Sequence, residues 1–442
     1  MKIVRGVLAA LVVTSVSACS SGGSLPSIFG GPNGPTSAAL MRLGGSSQKI
    51  THVIVLVQEN RTFDNLFHGY AGSDYSNTGK THDGKTVKLR PGKLEEYYDF
   101  GHTHANFDTE YDNGKNDGFD EVQTSPQSFK LAPYQYVVQR EVQPYFDIAH
   151  EFTLGDHMFT SQNGPSFPGH EYLIAAQAGG AYDDPTDVQP WGCDAPPSTT
   201  VPIYVGGSTE NVYPCFDYQT LGDELDSANL SWRYYTTPGT KEGFEALPDP
   251  YDAIQHIRYG PDWSKDTIDQ PLQIVQDIKK GKLATISWVN SPSLASDHPQ
   301  LNDGHGPSWV AYVVDAIGAS NYYKNTAILV TWDDWGGEYD HVPPQEYGFL
   351  GLGFRVPLLV VSAWSKHGYV SSTNHESASI VKFIEEVFGL PSLHQRDEYA
   401  DDLSDCFDFS QSPPKFRKIK LITKPYQLVR DLQNDTGPND NY

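Results

Sequence analysis

Two apolar, β-branched runs decide what this chain can become. Thr51 to Val57 is the first and leads straight into Gln58, Glu59 and Asn60; Thr326 to Thr331 is the second and ends on Trp332, Asp333 and Asp334. Both have the length and composition of strands, the second of a buried one. Around them the pattern alternates. Helices are expected over Tyr134 to Ala149, Gly169 to Ala178, Thr220 (as cap) to Ala228, Pro271 to Lys280, Trp309 to Ala319 and Ser377 to Phe388. Further strands are expected over Ser231 to Tyr235, Leu283 to Val289 and Val356 to Val361. The alternation implies an α/β sandwich with a largely parallel central sheet. Functional groups in such sheets gather beyond the C-terminal strand ends.

Both strand ends carry metal-type donors. Glu59 and Asn60 offer a carboxylate beside an amide oxygen, a pair suited to a hard or borderline divalent cation. Taken alone, a polar pair after a strand is usually the start of a loop. Asp333 and Asp334, adjacent carboxylates between Trp332 and Trp335, repel one another and lose hydration, which a cation relieves better than surface solvation does. His341 follows in the same segment and can return to the site as ligand or proton donor; the bland alternative is an ordinary loop histidine. Ser166 lies in Gly164-Pro165-Ser166-Phe167-Pro168-Gly169-His170, just before an expected helix. Unpaired N–H groups at a helix mouth favour an alkoxide-like nucleophile and an incoming phosphoryl oxygen. A capping role for Ser166 is the commoner alternative.

The N-terminus has the order of an export signal. Lys2 and Arg5 precede the apolar run Val7 to Val13, and Val16-Ser17-Ala18-Cys19 follows. These four residues resemble a bacterial lipobox, in which Cys19 is acylated and becomes the mature N-terminus. The expected organisation is a signal peptide over 1–18, a Gly/Ser/Pro-rich tether over 19–48, a single domain over 49–430 and a polar tail over 431–442. Acylation holds such a protein at a bilayer. The expected location is therefore the cell envelope: outer membrane, periplasm or cell surface.

A formal net charge of -24 argues against nucleic-acid binding, which needs clustered Lys and Arg. A bound divalent cation would reverse that field locally for an anionic substrate. Cys193 and Cys215 flank one Pro-rich loop and can form a disulfide after export, leaving Cys406 over; other pairings stay open.

Gln58-Glu59-Asn60-Arg61-Thr62-Phe63-Asp64-Asn65-Leu66-Phe67 resembles the opening signature of the phosphoesterase family that contains bacterial and plant phospholipases C and acid phosphatase A. Matches follow in family order at His102 to Phe119, Ser166 to His170, Leu283 to Val289, Asp297-His298-Pro299, Thr331 to Pro344 and Arg355 to Ser362. The resemblance implies an alkaline-phosphatase-like three-layer sandwich. It implies a divalent metal ion (calcium, zinc or another) held by Glu59, Asn60, Asp333 and Asp334. Ser166 matches the nucleophile that forms a phospho-enzyme, and His298, His341 and His102 match active-site histidines. The implied substrate is a phosphate ester, phospholipids included. The chain departs from many members at Gly169-His170, where they have Asn-Arg, and at Ser377-Ala378-Ser379, where phospholipases often show His-Thr-Ser. These positions border the substrate pocket.

Two other readings compete. A serine esterase of α/β-hydrolase type needs Gly-x-Ser-x-Gly, and Gly164 to Gly169 has one residue too many. A non-catalytic surface lipoprotein would be expected to have lost donors among the four ligand positions, and all four are filled.

Overall fold

The computed structural model describes residues 49–125, 130–186, 190–237, 249–300, 302–345 and 348–433. The expected signal, lipobox and tether lie outside the described residues. At the other end a helix runs Pro425–Gln433 with Leu432 buried, so the domain reaches slightly beyond residue 430.

The main sheet has nine strands: β1 (His52–Gln58), β2 (Thr153–Phe159), β3 (Trp232–Tyr235), β4 (Thr267–Ile268), β5 (Ile286–Asn290), β6 (Thr326–Trp332), β7 (Arg355–Ser362), β8 (Tyr369–Ser371) and β9 (His375–Glu376). Their order is β4-β3-β5-β1-β6-β7-β2-β8, with β9 also paired to β2. All neighbouring pairs are parallel except those of β7, which runs against both β6 and β2. The expected parallel sheet is present, with one reversed strand inside it.

Every residue of β5, β6 and β7 is buried, and β1 is buried from Val53 onward. Strands apolar on both faces must be covered on both. The helices α1 (Phe63–Phe67), α2 (His104–Tyr111), α3 (Gln139–Glu151), α4 (Ser166–Ala175), α5 (Leu221–Ser227), α6 (Gln273–Lys280), α7 (Gly306–Gly318), α8 (Ser377–Phe388) and α9 (Pro425–Gln433) supply most of that cover. One group packs α3, α6 and α9 against α7; the other packs α5 and α8 against α4. Several expected ends are met: Thr220 and Asp223 form a capping box on α5, and α6 and α8 stop at Gly281 and Gly389, both left-handed.

A disulfide joins Cys193 and Cys215, and Cys406 is a buried free thiol. No helix among the described residues is long and apolar enough to cross a membrane.

Candidate active site

Strands β1 and β6 are parallel neighbours, with Gln58 opposite Trp332. The residues that follow therefore leave the sheet side by side at its C-terminal edge. The Asp333 amide donates to the Gln58 carbonyl at 3.1 Å, and the Asn60 amide donates to Asp333 Oδ1 at 3.1 Å. Asn60 sits in the left-handed region at φ 53, which an asparagine tolerates better than most residues. Gly336, at φ 62, packs on that turn; a Cβ there would stand 2.3 Å from the Asn60 carbonyl oxygen. Its amide donates to Asp334 Oδ1 at 2.7 Å and fixes the second carboxylate. Glu59, Asn60, Asp333 and Asp334 are all fully buried.

Helix α4 brings the serine to this corner. It begins at Ser166 rather than near Gly169, so Ser166 is its first residue and not its cap. The hydroxyl donates to Asp334 Oδ2 at 2.9 Å, and the Phe167 amide donates to Asp184 Oδ1 at 2.9 Å. One turn later His170 is buried, with Nε2 at 3.1 Å from Glu59 Oε1 and 3.6 Å from Asp333 Oδ2. Gly169 allows that approach, since a Cβ there would lie 2.8 Å from the Asp333 carbonyl oxygen.

Of the three expected histidines, two converge here. His102 Nδ1 donates to the Phe100 carbonyl at 2.6 Å, and its Nε2 lies 3.0 Å from the Asn60 amide. Burial opposes its charge, but Asp334, Asp99 and the Phe100 carbonyl outweigh that and hold the imidazole up at about 10. His298 stands with its ring centroid 6.2 Å from that of His102, and Nδ1 donates to the Pro299 carbonyl at 2.5 Å. Burial, despite Asp99, leaves it below the ordinary imidazole value. The third, His341, is held elsewhere. Its Nδ1 is 2.7 Å from Asp64 Oδ2 and its Nε2 3.2 Å from Asp74 Oδ1. Arg355, paired with Asp340 at 2.8 Å and Asp64 at 3.5 Å, anchors that separate cluster. The polar partners of His341 are thus Asp64, Asp74 and Arg355 rather than Glu59, Asn60, Asp333, Asp334 or Ser166.

The corner gathers more negative charge than a dry site tolerates. Burial first, then Asp333, pushes the Glu59 and Asp334 carboxyls well above their ordinary range, and burial holds Asp184 up at about 7. The Asn60 amide can face either way. In one orientation its oxygen lies 3.0 Å from Glu59 Oε2 and 3.2 Å from Asp333 Oδ1 while its NH2 faces His102; in the other the NH2 bonds both carboxylates. The second satisfies the amide without an ion; the first brings oxygens together, an arrangement that a cation would stabilise. Asp333 Oδ2 is buried without a hydrogen-bond partner among the described residues. The ligand atoms of Glu59, His170 and Asp333 lie within 4.8 Å of one another. This donor set fits a divalent ion.

His170 and Asp184 are not among the ligands or catalytic groups expected from the sequence. His170 carried a signal, four positions after Ser166 and hence on the same helix face. Asp184 carried none, because it arrives from a loop.

A profile described as "Phosphoesterase family" matches residues 50–391. The chain belongs to the phosphoesterase family. Among curated relatives, this phosphoesterase is 25% identical to the hemolytic phospholipase C of Pseudomonas aeruginosa over 431 residues, covering 83% of this chain and 57% of that protein. It is 23% identical to phospholipase C A of Mycobacterium tuberculosis, over 84% of this chain and 80% of the relative. It is 24% identical to the non-specific phospholipase C3 of Arabidopsis thaliana, over 90% and 80%. The chain thus spans little more than half the length of the Pseudomonas protein. Among solved structures, an alkaline phosphatase superfamily protein from Vibrio parahaemolyticus aligns over 81% of this phosphoesterase and 78% of that chain, with 10% identity and a TM-score of 0.36.

Proposed function

We propose that this phosphoesterase hydrolyses phosphate esters, phospholipids among them, through a phosphoserine on Ser166 and with a divalent cation bound at Glu59, Asn60, Asp333 and Asp334. The observation that carries the reading is the 2.9 Å hydrogen bond from Ser166 Oγ to Asp334, on the strand ends where the other three donors meet. When bound, the cation supplies Lewis-acid charge that lowers the serine pKa and offsets the phosphoryl oxygens.

The residues of the chain divide the remaining work. Asp334 Oδ2 takes the Ser166 proton as Oγ bonds to phosphorus and the ester P–O bond breaks. With a cation offsetting Asp334 and the Asn60 NH2 donating to its Nε2, His102 would be neutral at rest and would pass a proton from solvent to the departing alkoxide. Neutral His298 then receives a proton from the water that attacks the phosphoserine and releases it to solvent, and Asp334 returns its proton to Ser166. An acyl-esterase mechanism needs a histidine on the serine hydroxyl. Here the partner of that hydroxyl is a carboxylate.

The deciding experiment assays the purified protein on phosphatidylcholine and on p-nitrophenyl phosphate, after chelation and with single metals added back. Acid quenching with labelled phosphate ester should leave label on the Ser166 peptide. Hydrolysis of neither ester under any metal sinks the proposal, and turnover without label sinks its covalent step.

The proposal extends to the N-terminus. Acylation at Cys19 would tether the enzyme to an envelope membrane, which the lipobox-like run supports. Cys19→Ser should then move the protein from the membrane to the soluble fraction.

A further inference from the structure

We propose that His170 is a further ligand of the cation, through Nε2, and that it biases the site toward a borderline ion such as Zn2+ over Ca2+ and Mg2+. The inference rests on the metal-dependent reading above. Helix α4 places Ser166 and His170 four residues apart, on one face, so both side chains meet the same strand ends. His170 is fully buried, and its Nε2 stands 3.1 Å from Glu59 Oε1 and 3.6 Å from Asp333 Oδ2. With His170 the ion would have five protein donors; donors held about 2.1 Å from a five-coordinate ion lie about 3.0 Å apart at right angles and about 3.6 Å apart at 120°, and the two distances match those spacings. Asp333 Oδ2 has no other partner among the described residues although it is buried. A hydrogen bond from His170 to Glu59, with a proton held between Glu59 and Asp333, accounts for the two carboxylates only while one of them is protonated. A shared ion accounts for both.

The approach is built into the backbone. Gly169 lets α4 close on the Asp333 carbonyl, where a Cβ would come within 2.8 Å. A larger residue at 169 would lift His170 off the carboxylates. Without an imidazole the donors are three carboxylates and an amide, a hard set that suits Ca2+ or Mg2+; with it, the set suits Zn2+.

The test compares wild type with His170→Ala and His170→Asn as full-length proteins stripped by chelator. Zn2+, Co2+ and Ca2+ affinities are measured by competition calorimetry, and Co2+ loading is followed by visible absorption. Loss of an outer hydrogen-bond partner of a metal ligand costs about 10–100-fold in affinity. Loss of a ligand should exceed that for Zn2+ and Co2+, leave Ca2+ within about fivefold, and shift and weaken the Co2+ bands. Equal losses for Zn2+ and Ca2+, or unchanged Co2+ bands, would show that His170 only orients Glu59, and the inference fails while the metal site stands. If the wild type binds no cation, or Glu59→Gln binds as well as wild type, the metal reading fails and takes this one with it. Thermal unfolding of the stripped proteins identifies a variant that does not fold; His170→Asn keeps a polar side chain and decides the question should alanine fail.

Discussion

At Ser166 the choice between capping and catalysis is made by one hydroxyl. Its hydrogen bond runs across to Asp334 and not back to its own helix, whose Phe167 amide is satisfied by Asp184 instead. Ser166→Ala removes no core volume, so folding and metal affinity should stay near wild type. Turnover should fall by several orders of magnitude, since an oriented nucleophile is worth roughly 7–11 kcal/mol. Circular dichroism and kcat on one ester check both halves of that expectation. His102 makes a separable prediction. In the proposed role of passing a proton to the alcohol it would matter most when the alcohol is a poor leaving group. His102→Asn should therefore lower kcat by about 10²–10⁴-fold on an alkyl phosphate ester and far less on a p-nitrophenyl ester. Equal losses on both would assign His102 to holding Asn60 rather than to proton transfer. His341, in its cluster with Asp64 and Arg355, should change stability more than chemistry when replaced by Gln.

The elements show why part of the site was legible in the sequence and part was not. Strands β1 and β6 announce themselves by unbroken apolar runs, and the donors that follow them are the ones the structure brings together. Strand β2 gave no such signal, because Gly155, Asp156 and His157 interrupt Thr153–Phe159. Those residues answer to tertiary demands: Gly155 packs against Leu358, and Asp156 accepts from the Asp74 amide at 2.8 Å. The surroundings of His341 have a similar source. Its neighbours in sequence lead to the Asp333 and Asp334 strand end, but its ring is held by Asp64, 2.7 Å from Nδ1, and Asp74, 3.2 Å from Nε2, which come from elsewhere in the chain. Turn geometry yields its own test. Gly336→Ala combines a left-handed φ with a Cβ 2.3 Å from the Asn60 carbonyl. Backbone strain of that kind costs on the order of 1–3 kcal/mol. Urea unfolding should show that loss together with weakened metal binding, as the Asn60 turn is pushed aside.

Across the whole molecule, the buried acids couple stability to pH and to metal. Asp184 rises from 3.8 to about 7 on folding. A group raised in this way contributes stability that is full below its unfolded value and lost as pH climbs through its folded one. Glu59 and Asp334 are raised by burial and like charge and act in the same direction. The chelated protein should therefore lose thermal stability as pH rises from about 4 to about 7. A cation that favours the ionised carboxylates should restore it, by about 2.7 kcal/mol at a hundred times its Kd. Melting curves with and without metal at pH 5 and pH 7 check the sign: the metal-induced rise in Tm should be larger at pH 7.

The pairing of β1 with β6 also sets a schedule for biosynthesis. Asn60 precedes its partner Asp333 by 273 residues. Ribosomes add about 5–20 residues per second, so the early half of the centre waits on the order of tens of seconds for the late half. Until β5 is made, β1, an apolar strand, has neither of its neighbours, because β5 and β6 both lie beyond residue 285. Such an unpaired edge invites aggregation. A truncation ending before β5 should therefore accumulate as insoluble protein even though it contains Glu59, Asn60, Ser166 and His170.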